Sequence, residues 1–456
     1  MNTAHTRSKT VQLPVFVTAG LFFVLALAFV PLIGIQNDES IFASVVYGPI
    51  AREFRLRAFG HDVPLMVMTY LGALKSWIYA LLYAIWTPSV WSLRLPPVII
   101  GTATIGIFAL LCTKASKLPL VALAGVLLLA TDPSFFLTTV FDWGPVAFQH
   151  LFLVSGTLLV LHFAHTQSTK ALAAGFACFG FGLWDKALLS WSLFGLGVAV
   201  LLVFWKEFRR LFTVRRAAIA VLSFLLAGAP LVLYNIRHGL KTFRGNAKID
   251  FSEVAPKWLH VKSTMDGSAL FGYLVREEWE ERKIEPTGGL PKASLDLRNL
   301  AGERRYGYAY WLFLASLAAI PLWWRQSHRT VLFSTVFLAA AWLLMAATHD
   351  AGATAHHVVL LWPFPQLIAA VAIGSLANRG RIWMAAAGLI LGVVATQNLL
   401  VLNQYYTQAT RVCGGTAWTD AIIPLRDAVK EAKPQAINLL GWGTEFTLIS
   451  HSVSYS

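Results

Sequence analysis

Long apolar runs separated by short polar connections make up most of this chain. Most of the runs have about 16–22 residues, which is enough to cross a hydrocarbon core roughly 30 Å thick. Backbone groups in lipid must form their hydrogen bonds within the segment, so runs of this kind are expected to be α-helices. The pattern predicts eleven spanning helices, at residues 12–34, 95–113, 118–136, 145–163, 171–184, 187–205, 217–235, 306–324, 330–348, 358–377 and 382–402.

The composition favours a membrane protein over a soluble one. Of the 456 residues, 57% are hydrophobic and 13% are charged, whereas about a quarter of the residues in a soluble domain are charged. The three cysteines, Cys112, Cys178 and Cys413, give no disulfide framework. The sequence therefore predicts an all-α polytopic membrane protein, and its first apolar run is interpreted as a retained anchor rather than a cleaved signal peptide.

The basic residues lie on alternate connections between the predicted helices. With a cytoplasmic N-terminus, the short outer turns carry mainly acids such as Asp142 and Asp350, and the inner connections carry Lys and Arg. The positive-inside rule then predicts that the outer loops and the C-terminus lie outside the cytoplasm. In a bacterial host, which we expect, this is the periplasmic side of the inner membrane. The net charge of +14 is interpreted as a topology signal with some attraction to anionic lipid, not as a nucleic-acid-binding surface. The inner basic residues are Arg7, Lys9, Lys114, Lys117, Lys170, Lys206, Arg209, Arg210, Arg215, Arg216, Arg325, Arg329, Arg379 and Arg381.

The apolar stretch 64–86 is long enough to span but is not counted among the eleven. Counting it would move the turn that carries Lys114 and Lys117 to the outer side, and Lys75 lies in its middle. We therefore predict a helix that lies in or dips into the outer interface, with a true span as the alternative. Its interfacial anchors would be Trp77, Tyr79, Tyr83 and Trp86.

The C-terminal tail is predicted to pack on the outer loops. A helix is expected from Thr416 to Lys433, ended by Pro434 and followed by a strand-like stretch at 436–442. A unit this short buries little core by itself. The predicted organisation is a transmembrane domain over 1–402, which contains outer loops at 35–94 and 236–305, and a small α/β-like outer tail over 403–456.

The unusual charges collect at the predicted outer ends of the helices. The acidic pair of Asp38 and Glu39 follows the first apolar run directly, and ionisable groups at membrane depth are functional candidates because they are costly to hold there. A carboxylate can take a proton from an acceptor nucleophile, and cations can bind a lipid phosphate as it leaves. The whole set is Asp38, Glu39, His61, Asp62, Arg94, Asp142, Asp185, Lys186, Arg237, His238, His356 and His357.

The order of these features resembles the polytopic glycosyltransferases of the GT-C fold. This superfamily includes the protein O-mannosyltransferases and the lipid A aminoarabinose transferases, which take a sugar from a polyprenyl phosphate. Three positions depart from the family pattern: Val63 stands where the first proline of a pair is usual, Asp62 stands where the aminoarabinose enzymes carry a basic residue, and Val358 stands where tyrosine is usual. The similarity covers roughly residues 12–400, through Asn37-Asp38-Glu39 with Ile50 to Glu53, His61 to Leu65, Ser92 to Pro96, Asp132-Pro133 with Phe141-Asp142, Gly182 to Lys186, Pro230 to Gly239, and His357 to Pro365.

The resemblance implies a reaction and a role for each matching residue. An acceptor hydroxyl or amine would attack the anomeric carbon of the sugar with inversion, and the lipid phosphate would leave. Asp38 would be the base or the carboxylate that positions the acceptor, Glu39 would support it, and Asp142 would be the second carboxylate. The implied substrate contacts are His61 at the interfacial access path, Arg94 and Lys186 on the donor phosphate, and Arg237, His238 and His357 in the matching stretches.

Each of these residues also has a simpler interpretation. Asp38 could cap the helix that begins near Ser40, and Glu39 could be its first-turn acid. Arg94 and Lys186 could be side chains that snorkel to the interface. The histidines near 349–357 match no standard zinc spacing, so no metal is predicted and no cofactor is expected with certainty, although a divalent cation is left open.

The function most favoured by the sequence is a membrane glycosyltransferase that uses a polyprenyl-phosphate sugar donor. Its acceptor is unknown, and its other partner is the bilayer. One alternative is a transporter or flippase of a lipid-linked sugar, although such proteins usually place charges near the membrane midplane on repeated, broken helices. The other alternative is a non-catalytic scaffold of the cell envelope.

Overall fold

The computed structural model describes residues 2–47, 52–58, 60–246, 248–279 and 283–432. In this part of the chain the architecture is a bundle of helices with one small sheet. In chain order the helices are α1 (Asn2–Phe29), α2 (Asn37–Tyr47), α3 (Leu74–Tyr83), α4 (Val90–Ala115), α5 (Pro119–Ala130), α6 (Pro133–Val140), α7 (Val146–Thr166), α8 (Thr169–Asp185), α9 (Leu189–Val203), α10 (Trp205–Leu211), α11 (Val214–Ala227), α12 (Ala229–Arg237), α13 (Lys241–Asn246), α14 (Val254–Asp266), α15 (Gly289–Ala301), α16 (Ala309–Ala318), α17 (Ile320–Ala346), α18 (Ala355–Val358), α19 (Phe364–Ala377), α20 (Arg381–Val412) and α21 (Ile422–Ala432).

The helices match the predicted apolar runs. In the described residues, α4, α7, α17 and α20 are each long and apolar enough to cross a membrane, and the number rises to eight if each bent pair counts as one span. The other three predicted runs lie on α1, α8 and α16, whose apolar segments are shorter. The structure therefore confirms a polytopic helical membrane protein.

Two of the bent pairs break where a proline enters the first turn of the second helix. The pair α5 and α6 is bent by 58° and the pair α11 and α12 by 73°. Each second helix carries a proline in its first turn, where the missing N–H costs nothing, whereas the same proline inside one continuous helix would break it. At the first bend Asp132 accepts a hydrogen bond from the N–H of Phe135 at 2.8 Å, so it caps α6.

The centre of the bundle is formed by α6, which is buried along its whole length, and by α19. Edge-to-face contacts of Phe136 with Phe22 and Phe29, at 5.3 and 4.9 Å between ring centroids, pack α1 on α6. The indole of Trp362 and the amide of Gln366 both donate to Asp132 at 2.8 Å. These contacts fix the position of α6, whose C-terminal end leads into the site described below.

The first predicted outer loop, at residues 35–94, contains a sheet that the sequence analysis did not anticipate. Strands β1 (Phe54–Ala58), β2 (His61–Met68) and β3 (Leu71–Gly72) form an antiparallel sheet in that order. Ala58 pairs with His61 at the tip of the hairpin. The expectation of one interfacial helix over 64–86 is therefore wrong in its first part, which is a strand. The helical part is α3 alone, and its ten residues are too few to cross the membrane.

The tail begins later than predicted, because α20 continues as far as Val412. The predicted tail helix is present over the shorter range of α21, after a 3₁₀ turn at Thr416–Trp418. The strand-like stretch predicted at 436–442 lies outside the described residues. In the second predicted outer loop, at residues 236–305, Lys257 donates to the carbonyls of Ala346 and Thr348 at 3.0 and 2.8 Å, so α14 is held against the end of α17.

Because α4 is the first long span after the sheet, positions 62 and 117 should label from opposite sides of the membrane. Asp62 is exposed at the hairpin tip and Lys117 is exposed beyond α4. We expect Asp62→Cys and Lys117→Cys, in a chain whose three native cysteines are replaced by alanine, to react with a membrane-impermeant maleimide from different sides of sealed vesicles. Reaction of both from one side would contradict the crossing of α4.

Candidate active site

Four segments meet at one end of the bundle and bring charged side chains together. They are the start of α2, the start of α3, the loop between α6 and α7, and the turn between α8 and α9. Leu71 forms a β-bridge with Lys186, and the N–H of Ala187 donates to the carbonyl of Tyr70 at 2.9 Å, so the α8–α9 turn is joined to the sheet. The charged members are Asp38, Lys75, Asp142, Asp185 and Lys186, of which all but Asp38 are buried.

Lys75 and Asp142 form a buried ion pair. The ammonium of Lys75 donates to Oδ2 of Asp142 and lies 4.6 Å from the centre of the Phe42 ring. Burial raises the pKa of Asp142 to about 6, against the opposing effect of Lys75. Oδ1 of Asp142 has no hydrogen-bond partner among the described residues, so this carboxylate can still accept a hydrogen bond from a ligand.

Lys186 is a buried cation without a counter-ion in contact. It ends α8 with an extended backbone, and its ammonium lies beside Gly144 in the α6–α7 loop. Within the described parts of the chain, no carboxylate is close enough to pair with it. Burial lowers the pKa of Lys186 to about 8, although Asp38 and Asp185 act to raise it. A desolvated cation of this kind is stabilised by an anionic ligand.

Asp185 is held on one side only. Its Oδ2 accepts a hydrogen bond from Nε2 of Gln149 at 3.0 Å, and the same amide group donates to the carbonyl of Gly182 at 2.8 Å. Oδ1 of Asp185 has no partner among the described residues. The arrangement orients the carboxylate next to Lys186 in sequence and leaves one oxygen for a further contact.

Asp38 is the half-buried carboxylate of the group. The helix-capping role considered for it is filled by Gln36, whose Oε1 accepts the N–H of Asp38. The carboxylate instead faces the indole of Trp143 and the ammonium of Lys186. Burial raises the pKa of Asp38, and Lys186 opposes this shift most strongly. A carboxylate with a raised pKa and partial exposure is suited to take a proton from an incoming group.

Glu39 and Arg94 form a buried ion pair, and Arg94 also binds the backbone that follows α1. Arg94 donates to both Glu39 oxygens at 2.6 and 2.9 Å, to the carbonyls of Val30 and Ile33 at 2.7 and 3.1 Å, and to that of Gly34 at 2.6 Å. A guanidinium has five N–H donors, and here all five are used. The predicted contact of Arg94 with a donor phosphate is therefore not supported, and the geometry favours a structural role for both residues.

Aromatic side chains surround the exposed side of Asp38. Trp143 is stacked on Tyr273 with 4.7 Å between ring centroids, and lies 4.1 Å from His356 and 5.2 Å from Trp418. Trp418 also donates its indole N–H to Glu39 at 3.0 Å. Tyr273 is 40% exposed and marks the open side of the group. The ring faces at this opening could stack on the apolar face of a ligand ring.

The other predicted substrate contacts lie elsewhere or in a supporting position. His61 is exposed at the hairpin tip. Arg237 and His238 lie against Phe54, at 5.6 and 5.5 Å from its ring centre. His357 accepts the N–H of Gly352 through Nδ1 at 3.3 Å and neighbours His356, so it supports the aromatic group from behind. The structure does not bring the first three into contact with the buried charges, and their roles stay predictions.

Sequence reasoning missed Lys75, Trp143, Tyr273 and Trp418. A signal for Lys75 was present, because it is the single charged residue in 64–86. Trp143 directly follows Asp142 in sequence. For Tyr273 and Trp418 no comparable signal exists, because their contacts with Trp143 depend on tertiary packing.

Comparison with known proteins gives a match in fold. The chain is similar to ArnT from Cupriavidus metallidurans in the apo state, with a TM-score of 0.54 and 15% sequence identity over 94% of this chain and 83% of that one. It also aligns with ArnT from the same organism bound to undecaprenyl phosphate, with a TM-score of 0.49 and 16% identity over 96% and 74% of the two chains. No family model and no curated protein sequence matches the chain. The chain thus has the GT-C-like fold that the sequence analysis expected.

The Glu39–Arg94 pair should be a major contributor to stability. Arg94→Lys keeps the charge but cannot make five directed hydrogen bonds, so it should cost about 3 kcal/mol or more, as is typical of a broken buried ion pair. Arg55→Lys is the matched control, because the Arg55–Asp62 pair is exposed and should contribute at most about 1 kcal/mol. Thermal unfolding of the purified variants measures both, and equal losses would contradict the structural role of Arg94.

Proposed function

We propose that this protein is a membrane glycosyltransferase that moves a sugar from a polyprenyl-phosphate donor to an acceptor at the site described above. The observation that carries the proposal is the buried ammonium of Lys186, which has no anion in contact within the described residues and is next to carboxylates suited to acid–base chemistry. The fold is shared with ArnT, and ArnT has been crystallised bound to undecaprenyl phosphate.

In this proposal the donor phosphate binds the ammonium group of Lys186. A phosphate there would supply the counter-ion that this buried cation lacks, and the cation would stabilise the negative charge that grows on the phosphate as it leaves. Lys75 is near enough to contribute to the local potential but is already paired with Asp142. The polyprenyl chain would lie in the surrounding lipid, because an apolar carrier reaches a site at the end of a helical bundle through the bilayer.

Asp38 is assigned as the general base. The acceptor oxygen or nitrogen forms a bond to the anomeric carbon, the bond from that carbon to the phosphate oxygen breaks, and the acceptor proton passes to the Asp38 carboxylate. Such a single displacement inverts the anomeric configuration. The free oxygens of Asp142 and Asp185 are available to accept hydrogen bonds from sugar or acceptor hydroxyls, and Tyr273 and Trp143 offer ring faces to the sugar.

We further propose that the site faces the periplasm from the inner membrane, with the N-terminus in the cytoplasm. The charge distribution supports this orientation, because the connections at the opposite end of the bundle are rich in Lys and Arg. In this arrangement the acceptor is a lipid, glycan or protein of the cell envelope.

Replacing the proposed base should abolish transfer while leaving the donor bound. Asp38→Asn keeps the size of the side chain but accepts no proton, so we expect transfer from a labelled polyprenyl-phosphate sugar by the purified protein to fall about a hundredfold or more. The matched control is Asp62→Asn, whose exposed carboxylate lies at the hairpin tip and should leave transfer unchanged. Undiminished transfer by Asp38→Asn would remove Asp38 from the mechanism.

Binding of the lipid phosphate should depend on the charge of Lys186. The pKa of Lys186 in the free protein is lowered to about 8, so the side chain is cationic below that pH and neutral above it. Affinity for undecaprenyl phosphate should therefore decrease as the pH rises through about 8, as measured by equilibrium binding in detergent. Lys186→Arg, which stays charged, should abolish this decrease, and an identical pH profile in both proteins would contradict the assignment.

A further inference from the structure

A cavity of about 860 Å³ opens at the end of the bundle opposite the candidate active site. It lies where α16 gives way to α17 and where α19 ends. Ile320, Leu322 and Trp324 provide its apolar part, and Ile320 and Trp324 are each about half exposed. The polar lining consists of Arg325, Gln326, Ser375, Asn378 and Arg379.

The cavity owes its shape to two breaks in the helical backbone. One is at Ala319, between α16 and α17, and the other is inside α17 at Ser327, whose φ of −141° and ψ of 19° are not helical. The short segment between them is held in place, because Trp323 donates its indole N–H to the carbonyl of Ser316 at 2.8 Å. Arg379 ties the other wall to this segment by donating to the carbonyl of Pro321 at 3.0 Å.

The cavity is positively charged. Its described lining includes two guanidinium groups and no carboxylate. Arg379 contacts a backbone carbonyl only, and Arg325 forms no ion pair in the described part of the chain. By contrast, Arg329 on the same helix is paired with Glu207 at 2.7 Å. The hydroxyl of Ser375, which is 4% exposed, also has no hydrogen-bond partner among the described residues.

We propose that this cavity binds the phosphate headgroup of an anionic phospholipid from the leaflet at this end of the bundle. The two arginines would hold the phosphate, because guanidinium groups bind phosphate through paired N–H donors. Asn378 and Gln326 would contact the polar headgroup. The apolar side chains of the lining would contact the acyl chains where these enter the lipid. A site of several hundred Å³ that combines apolar walls with a few convergent polar groups is typical of small-molecule binding.

Native mass spectrometry of the delipidated full chain tests this site. We expect the wild type to retain one phosphatidylglycerol in preference to phosphatidylcholine. Arg325→Gln with Arg379→Gln should weaken phosphatidylglycerol binding by about 25-fold, since each arginine near an anionic lipid contributes about fivefold. The matched control is Arg210→Gln with Arg215→Gln, which removes two exposed arginines at the same end outside the cavity and should leave this binding unchanged.

Three outcomes would overturn the proposal. The first is equal binding of phosphatidylglycerol and phosphatidylcholine by the wild type. This comparison involves no variant, so it does not depend on how a variant folds. The second is an equal loss of binding in the control pair, which would show a general effect of surface charge. The third is complete displacement of phosphatidylglycerol by excess inorganic phosphate, which would show a site for a soluble anion instead of a lipid headgroup.

Discussion

The buried contact between Glu39 and Arg94 is the constraint on which the candidate site depends. Arg94 reaches from α4 to three carbonyls just beyond α1 and to the carboxylate on α2, so it fixes the turn by which the chain leaves the first span. Trp418 donates a further hydrogen bond to Glu39 from a segment far along the chain. Because no donor of the guanidinium is left free, removal of this side chain would leave several buried acceptors unpaired at once.

The position of Asp38 follows from that contact. The two acids are adjacent on α2, and when Glu39 points into the bundle toward Arg94, Asp38 is turned toward Lys186 and Trp143. A pair of neighbouring carboxylates is thereby divided into one with a structural role and one that is partly exposed. The tight approach of the C-terminal segment supports the same arrangement, because a Cβ at Gly34 would overlap the carbonyl of Thr419, and the N–H of Gly34 donates to the carbonyl of Trp418 at 2.9 Å.

The sequence predicted the helices better than it predicted their contacts. Length and hydropathy locate the spanning runs, because the thickness of lipid imposes them, and the position of Asp38, Asp142 and Lys186 at helix ends implies that they lie at one membrane face. The hairpin over 54–68 was missed because the apolar part of its second strand, from Pro64 to Met68, was assigned to an interfacial helix. Lys75 and its partner Asp142 are 67 residues apart in sequence, and Glu39 and its partner Trp418 are 379 residues apart. Such pairs depend on how the helices pack, and hydropathy carries no information about packing.

The most direct test of this account is an electron cryomicroscopy structure of the protein with undecaprenyl phosphate bound. We predict phosphate density within about 3 Å of Nζ of Lys186, with the carboxylate of Asp38 facing the same space and the Glu39–Arg94 pair unchanged. Phosphate bound instead at Arg237 and His238, with Lys186 in contact only with protein carboxylates, would contradict it.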